Sequence, residues 1–301
     1  MSLLEIPPET FAKLKEKVVV ITGATTGIGA VFISQLETAG SRVIYGDIKE
    51  PKLASDTPNV KFVKTDVTVY ESVLNLFKTA WSNHGRIDHA ITNAGVVEIG
   101  QLFNTGTEDA AIEEAPPTTV IDVNLKGTVF FTRVAVHYLR KSLTVHEGIQ
   151  NDASILLMSS SAGFGEYPGL FQYSASKHGV MGLFRSTRNF LLPSERIRIN
   201  VVLPNVTRTQ MVTGIIALYD SFGVPCNDAK DVSNVFFYAL GTNANGEAWY
   251  VSGGKIYEIE KKLETVKSCW LGESVYDEMR AGQQALGNGS EWVKSDQRRE
   301  V

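Results

Sequence analysis

From Lys17 onward the chain alternates short, β-branched apolar runs with longer amphipathic stretches, and this rhythm narrows its possible folds more than any other feature. The apolar runs are VVVIT (Val18 to Thr22), RVIYGD (Arg42 to Asp47), VKFVKTD (Val60 to Asp66), DHAITN (Asp88 to Asn93), ASILLMSS (Ala153 to Ser160), IRINVVLP (Ile197 to Pro204) and AWYVSGG (Ala248 to Gly254). Helical spacing falls between them, over about 27–39, 71–83, 117–141 and 173–192. Strands separated by helices need crossover connections, so neighbouring strands run parallel and both sheet faces are covered. The expected fold is α/β: a Rossmann-like, doubly wound parallel sheet of seven strands with helices on both faces.

With 301 residues, the chain is long enough to bury a core without a metal or disulfide staple. Cys226 and Cys269 stand far apart, which fits a reducing compartment better than a secreted framework. A formal charge of −4 without basic clusters leaves no electrostatic footprint for nucleic acid or an anionic membrane. The opening segment holds acids and prolines and reads neither as a signal peptide nor as a membrane span, so a cytoplasmic location is expected. The expected organisation is an N-terminal arm (1–16), a single domain (17–259) and a C-terminal extension (260–301).

Two segments depart from the rhythm. Residues 205–230 follow the carboxyl end of a strand and carry Met211, Ile215, Ile216, Tyr219 and Phe222. Ligands of open α/β sheets sit off those ends, so the segment reads as an apolar lid or, alternatively, as a surface helix packed on its neighbours. The extension carries Trp270, Tyr276, Met279 and Trp292, which are expected to cover the domain or a partner subunit.

Thr22-Gly23-Ala24-Thr25-Thr26-Gly27-Ile28-Gly29 joins the first strand to the first helix. Glycines there allow a tight turn and let backbone N–H groups reach a pyrophosphate at the helix N-terminus. No Gly-Lys-Ser/Thr follows, so the turn is not a P-loop. Asp47 ends the second strand, where a carboxylate accepts from ribose hydroxyls and repels a 2′-phosphate. Neither Thr26 nor Ile48 is basic, which favours NAD over NADP. Tyr173 and Lys177 are spaced to lie one helical turn apart on the same face. A phenol that titrates near about 10 must be brought down to act as a base near neutrality, and an adjacent ammonium acts in that direction.

The order glycine turn, Asp47, Asn93-Ala94-Gly95, Asn124, Ser160, Tyr173, Lys177 resembles the short-chain dehydrogenase/reductase family over about Lys17 to Gly254. The late segment Trp249 to Gly254 and Cys269 to Gly272 is similar to fungal relatives of NAD-dependent 15-hydroxyprostaglandin dehydrogenase. The resemblance implies cofactor contacts from Thr22, Gly23, Thr25, Gly27, Ile28, Gly29, Asp47, Asp66, Val67, Asn93, Ala94 and Gly95, and from Thr207 and Thr209 at the carboxamide. It implies Tyr173 as general acid/base, Lys177 as its support and as a ribose ligand, Ser160 as the substrate-orienting serine, and Asn124 as support for a proton-relay water. Ser159 and Ser161 compete for the serine role, with spacing to Tyr173 favouring Ser160. Where the family has Pro-Gly, this chain has Pro204-Asn205; asparagine tolerates positive φ, so the turn is expected to survive.

The implied activity is hydride transfer between NAD(H) and a secondary alcohol or ketone of a bulky hydrophobic natural product, whether terpenoid, steroid-like or polyketide. A non-redox isomerase or cyclase, or an NAD-binding sensor, would use the same pocket. A homodimer or homotetramer is implied. No metal is expected, because His84, His89, His137, His146 and His178 lack ligand spacing. Asn205-Val206-Thr207 and Asn288-Gly289-Ser290 are expected to be silent sequons.

Overall fold

The computed structural model describes residues 4–51, 57–98, 102–103, 112–145 and 152–287; His146, the Asn288 sequon and Trp292 lie outside the described residues. A short helix, α1 (Glu9–Ala12), leads into β1 (Val18–Thr22), α2 (Gly27–Thr38), β2 (Arg42–Asp47), β3 (Val60–Lys64), α3 (Tyr70–His84) and β4 (His89–Thr92). Next come a helical turn (Thr119–Ile121), a π-helical turn (Asp122–Lys126) and α4 (Gly127–Val145), which run into one another. The chain continues through β5 (Ala153–Met158), α5 (Phe171–Glu195), β6 (Ile197–Pro204), α6 (Thr213–Ser221), α7 (Ala229–Gly241), β7 (Ala248–Ser252), β8 (Lys255–Glu258), α8 (Glu260–Leu271) and α9 (Glu273–Leu286).

The strands form one sheet in the order β3-β2-β1-β4-β5-β6-β7-β8, parallel from β3 to β7. Strand order reverses between β1 and β4, which opens a crevice at their carboxyl ends. Side chains along a strand alternate between faces. Val18 and Val20 of β1 therefore join the core under α3, α4 and α5, while Val19 and Ile21 join the core under α2 and α7. Phe77 on Phe131, and Phe32 edge-on to Phe236 and Phe237, anchor these two layers.

The expected count of seven strands is corrected to eight. Gly253 and Gly254 both take positive φ, +56° and +74°, and reverse the chain so that β8 pairs antiparallel with β7. Two consecutive left-handed residues make a tight hairpin turn, for which a Gly-Gly pair is well suited. The extension forms the helices α8 and α9. Trp270 is 74% exposed in the single chain, so of the two expected covers, the domain and a partner subunit, it does not cover the domain, and α9 buries none of its residues.

Candidate active site

Gly23 follows β1 at φ +67°, and a Cβ there would stand 2.4 Å from the Cα of Ala94. The turn after β4 thus lies directly against the turn after β1. The Asn93 side-chain amide donates to the Gly23 carbonyl, and the Ala94 N–H approaches the Thr22 hydroxyl at 3.4 Å. Gly27 opens α2 at φ +61°, with Thr209 Cγ2 3.3 Å from where its Cβ would be. Thr209, 182 positions away, therefore flanks the glycine turn. Ile28 and Gly29 occupy the first turn of α2, and no side chain caps that helix. Its free N-terminal amides fit the pyrophosphate of a dinucleotide.

Asp47 closes the other side of this cradle. One carboxylate oxygen accepts from the Thr25 N–H at 3.0 Å and the other from the Lys49 N–H at 3.0 Å, while the Thr25 hydroxyl donates to the Lys49 carbonyl. Asp66 accepts from the Thr68 N–H and hydroxyl at 2.9 and 2.7 Å, which fixes the turn after β3 with Val67 buried beneath it. Thr207 is buried, and its hydroxyl donates to the Asn205 carbonyl at 2.9 Å.

At the reacting end, Asn124 sits in the π-helical turn with its side chain fully buried. Its amide accepts from the Val96 N–H and donates to the Val96 carbonyl, both at 2.9 Å, and also donates to the Ser176 hydroxyl at 3.1 Å. Asn124 therefore joins the loop after β4 to α5. A π-turn shifts the register of a helix by one residue and is frequent at functional sites. Tyr173 and Lys177 lie on α5, with the Lys177 Nζ 5.7 Å from the Tyr173 ring centre.

The three serines separate by contact. Ser160 faces the Pro204 carbonyl at 3.5 Å and is the serine that acts on the Tyr173 phenol, Ser159 donates to the Lys177 carbonyl at 3.0 Å, and Ser161 reaches the Asn205 side chain at 3.5 Å. Burial pushes the Tyr173 phenol above its ordinary 10.0, and the Ser160 hydrogen bond pulls the other way. The sequence expectation that Lys177 lowers the phenol is not met in the chain alone. The ammonium instead donates to the Met158 carbonyl at 3.1 Å, and its own burial lowers it to about 8.

Two further residues contact this machinery without having been read from the sequence. Glu98 reaches from the loop after β4 to the start of α5, where its carboxylate accepts from the Tyr173 N–H at 2.8 Å and the Gln172 N–H at 3.3 Å. Tyr167 lies near Ser161, whose hydroxyl favours its phenolate, and near enough to Tyr173 to act on it electrostatically. A carboxylate three residues beyond Asn93-Ala94-Gly95 was the available signal for Glu98, but its partners lie 74 and 75 positions downstream. Asn205 does not adopt positive φ, so its backbone has no need of the glycine usual there. Of the lid residues, Tyr219 meets Asn205 at 3.4 Å. Ile215 and Ile216 are half-buried, while Met211 and Phe222 are exposed.

The short chain dehydrogenase family model matches residues 17–218, a span that holds the glycine turn, Asn124, Ser160, Tyr173 and Lys177. The chain belongs to the short-chain dehydrogenase family. A short-chain dehydrogenase/reductase of Acremonium egyptiacum is 30% identical over 265 residues, covering 87% of each chain. The 5′-hydroxyaverantin dehydrogenase of Dothistroma septosporum is 27% identical over 297 residues, covering 91% of this chain and 95% of its own. The fold is shared with the 3-ketoacyl-(acyl-carrier-protein) reductase of Brucella melitensis solved with NADH, at a TM-score of 0.68 and 22% identity over 80% of this dehydrogenase and 98% of that chain. This dehydrogenase is accordingly an oxidoreductase of alcohol and carbonyl groups that uses a nicotinamide cofactor. Among the described residues, no group of three or more His, Cys, Asp or Glu is placed to hold a metal ion. No helix among them is long and apolar enough to cross a membrane.

Proposed function

We propose that this dehydrogenase is NAD-dependent and interconverts a secondary alcohol and ketone on a bulky hydrophobic natural product. The observation that carries the reaction is the convergence at one end of the sheet of Tyr173, of Ser160 close enough to act on its phenol, and of Lys177 one turn along the same helix with its Nζ 5.7 Å from the Tyr173 ring centre. Tyr173 takes the proton of the substrate hydroxyl during oxidation and returns it during reduction. Ser160 donates to the same oxygen, so charge developing there meets a fixed donor. Lys177 and Asn124 lie behind Tyr173 and lead the proton outward, Asn124 by holding the Val96 loop in place.

The cofactor supplies the hydride acceptor and, when oxidised, a positive charge. The glycine turn, Asp47, Asp66, Val67 and the Asn93–Gly95 turn would hold it, with Thr207 and Thr209 at its nicotinamide end and Lys177 at the ribose. Asp47 supports NAD over NADP, because a carboxylate repels a 2′-phosphate at that position.

The lid supports a bulky apolar substrate: α6 buries none of its residues, and Ile215, Ile216 and Tyr219 stand half-buried beside exposed Met211 and Phe222. Exposed Val129 on α4 and Phe171 on α5 support a homo-oligomer that pairs through those helices; the two cysteines, free in the structure, support a reducing compartment such as the cytoplasm.

Reduction of NAD and NADP over a panel of bulky secondary alcohols tests the reading, with Tyr173→Phe alongside. The expected result is turnover with NAD that falls by about a hundredfold or more in the variant. Equal turnover in Tyr173→Phe, or a preference for NADP, would contradict it.

A further inference from the structure

The family's usual glycine is replaced by Asn205, yet the backbone there is not left-handed, so the exchange is expressed through the side chain. That side chain is an amide placed one residue after Pro204, whose carbonyl faces the Ser160 hydroxyl at 3.5 Å. Its oxygen accepts from the Tyr219 hydroxyl at 3.4 Å and the Ser161 hydroxyl at 3.5 Å, and its nitrogen donates to the Ser252 hydroxyl at 3.3 Å. All three contacts are longer than the usual optimum for such groups. The amide is therefore surrounded by partners but weakly held by them, a state in which a ligand oxygen can take over a contact at little cost.

Tyr219 meets the amide, and Tyr250 of β7 pairs with Leu203 of β6, two residues before Asn205. Phe164 stands edge-on to Tyr250 at 5.4 Å, and Tyr250 stacks on Tyr257 at 6.2 Å with 28° between planes. Tyr167 lies near enough to act electrostatically on the catalytic Tyr173, and the Ser161 hydroxyl favours its phenolate, which brings the cluster beside the reacting hydroxyl. Burial raises the Tyr167 and Tyr219 phenols above their ordinary values, so both remain neutral donors across the working pH range. The wall beside Tyr173 thus offers flat apolar rings interrupted by hydroxyl and amide groups.

We propose that Asn205, with Tyr219 and Tyr167, is a specificity determinant that binds a second oxygen of the substrate, a hydroxyl or carbonyl on a flat ring system bearing the reacting carbinol. The inference rests on the reading that Ser160 and Tyr173 hold the reacting oxygen. An apolar ring alone would leave the amide and the phenols without a ligand partner, whereas an oxygenated ring satisfies both kinds of group.

The test compares 1-indanol with its ring-hydroxylated derivatives, one position at a time, as kcat/KM with NAD. In the natural protein, at least one hydroxylated isomer is preferred by about tenfold, the effect of one added hydrogen bond. In Asn205→Gly that ratio falls to near one, and in Tyr219→Phe it falls part of the way, whatever the absolute rates become. Binding of the corresponding indanones to the NADH-loaded protein, read by NADH fluorescence, gives the same ratios without turnover. Failure of the proposed reaction would therefore appear as binding without oxidation, with the preference still measurable. A natural protein that does not discriminate at any ring position, or an Asn205→Gly protein that keeps the full preference, would overturn the proposal.

Discussion

At the scale of single residues, Lys177 shows how function can oppose stability. Its amine is almost wholly buried, and the only hydrogen bond described for it is to the Met158 carbonyl, so burial lowers it from 10.5 to about 8. Between those values the unfolded chain holds a proton that the folded chain has released, so folding stability rises with pH across that window. Below about pH 8 the buried ammonium costs on the order of 3 kcal/mol relative to a solvated one. Lys177→Met is therefore expected to lose turnover and yet resist urea at pH 7 better than the natural protein, with the gain shrinking towards pH 10. Urea midpoints at pH 7 and pH 10 check this, and a less stable variant at pH 7 would contradict it. The tyrosine and lysine were legible as a pair one turn apart, and it was the order of motifs before them, not that spacing alone, that singled them out. The electrostatics between them were not, because spacing reports proximity while the carbonyl that captures the ammonium comes from β5.

At the scale of elements, α5 depends on a residue outside itself. Leu170 at its N-terminus provides no side-chain cap, and Glu98 supplies the acceptors for the Gln172 and Tyr173 amides. A carboxylate also suits the positive end of a helix dipole. Glu98→Ala is expected to lower unfolding stability by about 1 kcal/mol and to speed hydrogen exchange at the Gln172 and Tyr173 amides. Glu98→Gln, which keeps one acceptor oxygen, should show less of both effects. Unchanged exchange at those two amides would show that Glu98 does not cap the helix in solution. Four helices, α2, α3, α4 and α5, were readable to within a few residues, since apolar periodicity and the glycine punctuation agree with what packing imposes, whereas α7 (Ala229–Gly241), which buries Phe236 and Phe237, was not read. The eighth strand was missed although Gly253-Gly254 is a strong hairpin signal, because an antiparallel return interrupts an otherwise strictly alternating α/β pattern.

At the scale of the whole molecule, the sheet shields groups that water would otherwise protonate. His89 lies in the sheet with no exposed surface and one ring nitrogen 2.8 Å from the Ser154 hydroxyl. Burial holds its pKa well below the ordinary 6.5, and the positive charge of Arg198 adds to the effect. Below about pH 6.5 the unfolded chain takes up a proton that the folded chain refuses, so stability falls with pH by up to about 1.4 kcal/mol per unit. His89→Gln, which cannot titrate, should lose stability less steeply between pH 6.5 and 5 in thermal or urea unfolding. Identical slopes would show that other groups set the acid limb.

The sequence by itself determined the strand and helix alternation, the parallel sheet and the glycine turn ahead of α2, and its ordered motifs carried the family resemblance that proposes Asn124, Ser160, Tyr173 and Lys177. These are local patterns whose spacing carries their meaning, and the family match bears out the fold and the reaction class they suggested. Tertiary structure decided that Ser159 and Ser161 are turned to the Lys177 carbonyl and the Asn205 side chain, that Glu98 caps α5, that Thr209 flanks Gly27, and that the Asn205 amide lies between Ser161, Tyr219 and Ser252. Most of these contacts join residues distant in sequence, and all depend on where the strands of one sheet end. A linear pattern can supply the chemistry of such groups, but their distances are fixed only when the strand ends meet.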